Sequence, residues 1–575
     1  MKAKWFSSLL ILMMLLVAFA PAAIAAPAAS DGIGDDPTLV QKEDNRPDPL
    51  TTKQAELKQQ AIEAKLNGKA IGKVHEVAKG QYVQLALEGT GMVWTVMGEF
   101  ADLKHNKIPE PDRAVNNTTL WVPDFSKEHM DALLYDTTPG VNSMANFYLE
   151  QSSGRYTVTG EATDWIPVPG VAATYDDDHD SPLGGNQVWY FLRDTVNGWY
   201  NAQLASGKTP DEINDYLKGF DVWDRYDYDG DGDFDEPDGY IDTFQSVHAG
   251  EGEEGGAPVW AIWSHSWTAW YNGDGPDGEG PHGLGGLRIG NSDFWVGKYT
   301  VQPENGGVGV FTHEFGHDLG LPDLYDTSGG ENGTGFWTLM SSGSWMNDGT
   351  VDIGSKPSHM GAWEKLQLGW LNYEVARAGV KSVHKLGPME FNTKQAQGLI
   401  VILPKKSVTT TIGTPFAGAN FYYSDAGDNL DNSMTKSVVL PAGAVSLTAK
   451  VRYNIELDWD YAYLTVNGTP VQTNLSSTTD PHGQNFGYGI TGISNGWVDL
   501  TADLSAFAGQ TVTLGFRYWT DTNTGGFGFM VDEIGITSLP TDGAEAAAGW
   551  TFAGFKVSNG TESALFNHYY VAEYR

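Results

Sequence analysis

Apolar residues fall along this chain in several distinct patterns, each predicting a different kind of structure. Ser8 to Ala20 is mostly apolar, follows Lys2 and Lys4, and leads into Ala23-Ile24-Ala25, a small-residue cleavage pattern. The run is short for a membrane anchor, so a secretory signal over 1–25 is expected. Residues 26–50 are rich in Ala, Asp and Pro and predict no regular structure. Residues 51–68 (TTKQAELKQQAIEAKLNG) predict one amphipathic helix stopping at Gly68. At Met92 the texture changes. MVWTVMGEF (92–100) predicts an apolar strand, and mixed strands and helices continue to about Tyr373. Two helices are expected there, one within GGVGVFTHEFGHDLG (306–320) and one over PSHMGAWEKLQLGWL (357–371).

Beyond Tyr373 helical spacing gives way to β-branched and aromatic runs bounded by Gly, Pro, Asn and Asp. VVLPAGAVSLTAKVRY (438–453), YAYLTVNG (461–468), QTVTLGFRYWT (510–520) and GFMVDEIGIT (528–537) predict an antiparallel β-sandwich. The expected division is a signal peptide (1–25), a propeptide (26–88), a catalytic domain (89–375) and a β-rich accessory region (376–575). The last strand-like run, HYYVAEY (568–574), reaches the end of the sequence, and either a domain ending there or a longer parent protein is expected.

With 575 residues the chain exceeds one ordinary core. It has no cysteine, which removes thiolate zinc ligands, a cysteine nucleophile and a cysteine-based latency switch. A net charge of -38 opposes binding to nucleic acid or anionic lipid. No segment after residue 25 approaches spanning length. An exported protein with no membrane span in its mature form is expected.

Candidate chemistry concentrates in 313–326. His313 and His317 stand four apart, which on a helix puts both imidazoles on one face, able to hold one zinc ion. Glu314 stands where such a site carries its general base. The expected reaction is peptide-bond hydrolysis by a zinc-activated water, Glu314 taking its proton and passing it to the leaving amine. Asp323, in the spacing HExxHxxGxxD, is the third ligand by position, and a carboxylate is an acceptable one. Glu364, on a helix downstream, is the main alternative; Asp326 and Glu331 are weaker ones. Met340 lies in a turn-like segment shortly after the site. His248, His265 and Tyr325 are candidates for a second oxyanion donor.

A second acidic pattern, DYDGDGDFDEPD (227–238), puts Asp227, Asp229 and Asp231 at positions 1, 3 and 5 of a calcium loop. Gly232 is then at 6, Asp235 at 9 and Asp238 at 12. Aspartate in place of glutamate at position 12 departs from the usual loop, and the flanks are not two helices. NGDGPDGEG (272–280) is either a second calcium loop or a solvated one. Glu456, Asp458, Asp460, Asp532 and Glu533 converge only if their strands are neighbours. Tyr461, Tyr463, Tyr518 and Trp519 are either sandwich core or a face for glycan or protein.

These segments resemble the immune inhibitor A family of secreted bacterial metallopeptidases. The likeness rests on HEFGHDLGLPDLYDTSG (313–329), DGDFDEPDGYIDTFQSVHAGEGEEGG (231–256), WSHSW (263–267), GFWTLMSSGSW (335–345) and KPSHMGAWEKLQLGWL (356–371). It extends to YLEQSSGRYTVTGE (148–161) and to 549–575. The resemblance implies an α/β metzincin-like zinc peptidase domain followed by an antiparallel β-sandwich, with His313, Glu314, His317 and Asp323 carried over as site residues. It implies protein or peptide substrates outside the cell and latency through the propeptide. Lacking a thiol, that latency calls for a carboxylate or His75 from the pro-region at the zinc. The competing expectation is a calcium-stabilised extracellular binding protein whose zinc is structural.

Overall fold

The computed structural model describes residues 44–45, 48–175, 187–271, 275–327, 332–347, 354–427, 430–521, 526–546 and 549–575. The expected signal sequence, most of the stretch before Pro49, residues 272–274 and Glu331 lie outside the described residues. Two compact units result: Met1–Val375 with Lys381–Ile400 and Val571–Arg575, and Ala376–Val380 with Val401–Tyr570.

In the first unit, helix α1 (Pro49–Leu66) begins two residues before the sequence pattern suggests. The Asp48 carboxylate caps it by accepting from Thr51 N–H at 2.8 Å, and Pro49 supplies a preset first position. Leu57, Ala61, Ile62 and Leu66 form its buried stripe. A hairpin follows, β1 (Val74–Ala78) against β2 (Gln81–Gln84).

The body of this unit is a mixed sheet of β3 (Gly89–Glu99), β4 (Tyr156–Ala162), β5 (Phe244–His248), β6 (His265–Thr268) and β7 (Lys298–Pro303). Their order is β4-β3-β5-β7-β6, with the short Ile166–Pro167 also beside β3. The first four strands run parallel and β6 is antiparallel at the edge. Both faces of β3 are buried, which is why its sequence reads as a continuous apolar run rather than an alternation. Trp94 and Val96 join one core with α4 (Gln187–Ala205), through Phe191, Leu192 and Val196. Val93 and Met97 join the other, with α2 (Lys127–Tyr135), α3 (Met144–Gln151) and α5 (Val308–Asp318). The helix expected over 357–371 is shorter, α6 (Ala362–Gln367), because Gly361 is its N-cap and the chain turns away at Gly369.

His248 ends β5 inside this body, 1 % exposed, with Nδ1 3.1 Å from the Ala249 carbonyl. Burial holds its pKa down to about 4, only partly offset by backbone hydrogen bonds. A base with a depressed folded pKa stabilises fully above its unfolded value. That contribution is lost as pH falls from about 6.5 through about 4. We therefore expect His248→Gln to weaken the acid-side decline of the melting temperature in that window, corresponding to about 3 kcal/mol. Parallel curves for parent and variant would contradict it.

The second unit is built on two large antiparallel sheets, with a separate two-stranded ladder of Lys406–Thr411 on Thr561–Phe566. The main strands of the large sheets are β8 (Phe421–Tyr423), β9 (Asp431–Val439), β10 (Ser446–Ile455), β11 (Tyr461–Val466), β12 (Val498–Asp503), β13 (Thr511–Trp519), β14 (Gly528–Ile536), β15 (Thr551–Ala553) and β16 (Lys556–Ser558). One sheet runs β10-β14-β8-β16, with β12 also on β10; the other runs β11-β13-β9-β15. Alternate residues of β10 (Leu447, Ala449, Val451, Tyr453, Ile455) point into a core shared with Met434, Leu464, Leu514 and Phe516 of the other sheet. The run 438–453 is therefore two strands in two sheets, broken at Pro441, which has no N–H for a ladder.

Tyr461, Tyr463 and Tyr518 are fully buried, so they belong to the interior and not to a glycan-binding face. Only Trp519 of that group keeps partial exposure. Of the expected acidic cluster here, Glu456 and Asp460 come together with Asp521. Asp532 is committed elsewhere, accepting from the Phe416 and Ala417 N–H groups at 3.0 Å.

Candidate active site

Helix α5 carries His313, Glu314 and His317, and every one of its residues is buried. Two of its glycines are there for proximity. A side chain at Gly309 would collide with the Ser344 carbonyl, and one at Gly316 with the Met340 sulfur. The helix thus lies directly on the segment 338–345. Gly320, in the left-handed region (φ 89°), turns the chain out and sends Asp323 back towards the histidines. Two half-buried cations pin the carbonyl end of α5. Arg225 donates to Asp318 O (2.8 Å) and Lys298 to His317 O (2.9 Å), a favourable placement at a helix C-terminus.

The two imidazoles are oriented alike. His313 Nδ1 donates to Leu339 O at 2.9 Å and His317 Nδ1 to Leu321 O at 2.8 Å. Both Nε2 atoms therefore face one point, 3.1 Å from each other. Asp323 Oδ1 lies 3.4 Å from each of them, buried and without a hydrogen-bond partner among the described residues. Asp44 completes the group, Oδ2 3.5 Å from His313 Nε2 and Oδ1 3.5 Å from His317 Nε2. One ligand atom from each of the four falls within 4.8 Å of all the others.

Burial opposes a charged imidazole here, but Asp323 and Asp44 outweigh it. They hold His313 well above the ordinary histidine value and His317 at about 9. In turn the histidines overcome burial to hold Asp44 well below the usual carboxylate range. Two nitrogen and two carboxylate donors around one point, with an orphaned buried oxygen among them, fit a tetrahedral zinc ion. Second partners at both Nδ1 atoms fix the tautomer that such a site needs.

Glu314 is 2 % exposed and stands beside this group without joining it; its Oε2 has no hydrogen-bond partner among the described residues. Burial, then the Asp44 charge, push its pKa well above the ordinary glutamate value. Tyr325 donates to both Asp44 oxygens, at 3.1 Å. A cavity of about 120 Å³ opens here, lined by Val310, Glu314, Tyr325, Ser344 and Trp345 among others. Of the other oxyanion candidates, His265 bonds Tyr299 and the Trp263 carbonyl, and His248 bonds the Ala249 carbonyl.

Asp44 itself was not singled out by the sequence. It lies in an acidic, proline-containing stretch with no periodicity to mark it; of the two kinds of pro-region group expected, a carboxylate or His75, the structure puts a carboxylate beside the imidazoles, while His75 sits in the β1–β2 hairpin. What positions Asp44 is pairing with the edge strand. Ser266 N–H donates to its carbonyl at 2.7 Å, and Asn45 bridges to Ser266 in parallel. Asp48 then accepts from the Thr268 hydroxyl at 2.5 Å. Glu364 and Asp326 lie outside the four-donor group.

The acidic loop comes together in part. Asp227, Asp229 and Asp231 gather, whereas Asp235 and Asp238 do not join them. Asp238 instead turns its carboxylate onto the Tyr240 N–H at 2.8 Å.

Residues 79–371 match the family model described as immune inhibitor A peptidase M6, catalytic domain, and residues 382–560 match that of the immune inhibitor A-like MAM domain. A peptidase-type domain is thus followed by a strand-rich MAM-type domain. The chain is 34% identical over 525 residues to the pre-pro-metalloprotease PrtV of Vibrio cholerae serotype O1, covering 84% of this chain and 53% of that protein. It is 33% identical over 514 residues to immune inhibitor A of Bacillus thuringiensis subsp. alesti, covering 83% and 70%. The chain therefore spans about half the length of the Vibrio relatives and more than two thirds of the Bacillus one.

Proposed function

Because the chain belongs to the immune inhibitor A family of M6 metallopeptidases, we propose that it is a secreted zinc endopeptidase acting on extracellular proteins. The observation that carries this is the convergence of both His Nε2 atoms and Asp323 beside a buried glutamate outside the ligand set. Zinc bound there supplies a Lewis acid for the attacking water and the scissile carbonyl. Glu314 receives the proton of that water and hands it to the departing amine, and its raised pKa suits a group that must both take and give a proton. With Asp44 withdrawn, the Tyr325 hydroxyl is available to the oxyanion. Substrate then occupies the edge of β6 that residues 44–45 now cover.

In this reading the domain is metzincin-like, the two-sheet unit is a β-sandwich accessory domain, and residues 26–88 are the propeptide following a signal over 1–25. Asp44 keeps the precursor latent by occupying the ligand position that a substrate-processing zinc must leave open. Asp227, Asp229 and Asp231 are a calcium site that stiffens a cysteine-free fold.

One metal experiment tests both ions. Chelation should abolish cleavage of an unfolded protein substrate by the activated enzyme, and one equivalent of zinc should restore it. The melting temperature should recover fully only when calcium is also returned. Cleavage that survives chelation with no metal remaining would remove the zinc-dependent mechanism; full thermal recovery with zinc alone would remove the calcium site.

A further inference from the structure

Glu364 is the carboxylate that the chain could have sent to the metal and did not. It is fully buried at the third position of α6. Its Oε2 accepts from the Gly361 N–H at 2.5 Å, an ordinary helix cap. Its Oε1 does something a cap does not require. It reaches across to the segment under α5, accepting from the Thr338 hydroxyl and from the Met340 N–H at 3.4 Å. Between those two donors lies Leu339, whose carbonyl accepts from His313 Nδ1 at 2.9 Å. A single buried carboxylate therefore ties down the chain on both sides of the carbonyl that orients the first imidazole.

We propose that Glu364 is a positioning residue for the metal centre. Its carboxylate fixes the Thr338–Met340 turn, so that the Leu339 carbonyl holds His313 with Nε2 aimed at the metal. The inference rests on the reading of His313, His317 and Asp323 as a zinc site. Burial makes the arrangement stiff. Burying a carboxylate is costly unless donors satisfy it, and here those donors are Thr338, Met340 and Gly361. Any rotation of the Leu339 peptide group would have to break one of them. Metal-ligating histidines depend on such partners, and losing one typically weakens metal binding or activity by about 10- to 100-fold.

Two substitutions separate positioning from capping. Glu364→Gln keeps the shape but must turn an NH₂ towards one set of N–H donors. Thr338→Val removes the bond to Oε1 and the longer one from the Gly361 N–H to the Thr338 hydroxyl (3.3 Å), but leaves the Gly361 N–H on Glu364 Oε2. Zinc affinity of the full chain would be measured by competition with a chelating dye, together with the visible spectrum of the cobalt-substituted protein. After activation, kcat and KM would be measured separately. Glu364→Gln should bind zinc about tenfold or more weakly, with an altered cobalt spectrum and a reduced kcat at unchanged KM. Thr338→Val should move the same way by a smaller factor.

Parental zinc affinity and cobalt spectrum in both variants would overturn the proposal and leave Glu364 as a cap. If Glu364→Gln does not fold, Thr338→Val decides by the same readouts. A parent that binds zinc yet cleaves nothing would sink the peptidase reading while the zinc comparison still judges Glu364. A parent that binds no zinc would remove both.

Discussion

Glu314→Ala, measured on the activated enzyme, is expected to lose about 10²- to 10⁴-fold in kcat while keeping its zinc. The argument is geometric. Glu314 is next to His313 in sequence and buried beside the donor group, yet none of its atoms is among the four donors. Truncating it should leave the metal's surroundings intact and remove only the proton carrier. Zinc per chain and kcat must therefore be determined on the same preparations. Loss of zinc in parallel with loss of rate would assign Glu314 to metal retention. A variant retaining more than about a tenth of parental kcat would end its role as general base.

Asp44→Ala should act in the opposite direction. In the full chain Asp44 sits 3.5 Å from each Nε2 and receives the Tyr325 hydroxyl, so it occupies the position a reacting group needs. Removing its carboxylate takes the donor set from four protein ligands to three, the arrangement of catalytic zinc sites. The unprocessed chain is then expected to gain peptidase activity, roughly 100-fold over the unprocessed parent, by restoring a competent population without cleavage. Zinc should be held less tightly than in the parent precursor. The comparison also discriminates the structural-zinc alternative, which has the closed four-donor set in its favour. On that alternative Asp44→Ala weakens zinc binding and activates nothing. A silent Asp44→Ala precursor that becomes active once the pro-segment is cleaved off would move latency from Asp44 to the rest of the pro-segment.

The sequence was legible wherever the deciding interaction is local. Four-residue spacing puts His313 and His317 on one helical face whatever surrounds the helix, and Gly320 three residues before Asp323 marks the turn that returns the carboxylate. Apolar content marked β3 as a strand, and cap chemistry accounts for the start of α1 once Asp48 and Pro49 are read together. Among the acidic loop residues, alternating Asp227, Asp229 and Asp231 gather as their spacing suggests, because consecutive turns need no distant partner.

The tertiary structure alone decided which distant carboxylates meet the imidazoles and which do not. Asp44 reaches them because the edge strand β6 offers the Ser266 N–H to its backbone, and no local pattern around Asp44 encodes that pairing. Glu364 is turned from the four-donor group to the Thr338–Met340 turn because α6 docks beside that turn. Asp521 joins Glu456 and Asp460, while Asp532 is drawn to the backbone at 416–417, because strand order in the second unit sets their neighbours. Helical and strand periodicities are properties of a few consecutive residues. Convergence of residues hundreds of positions apart depends on sheet order and on which buried polar groups the packing must satisfy.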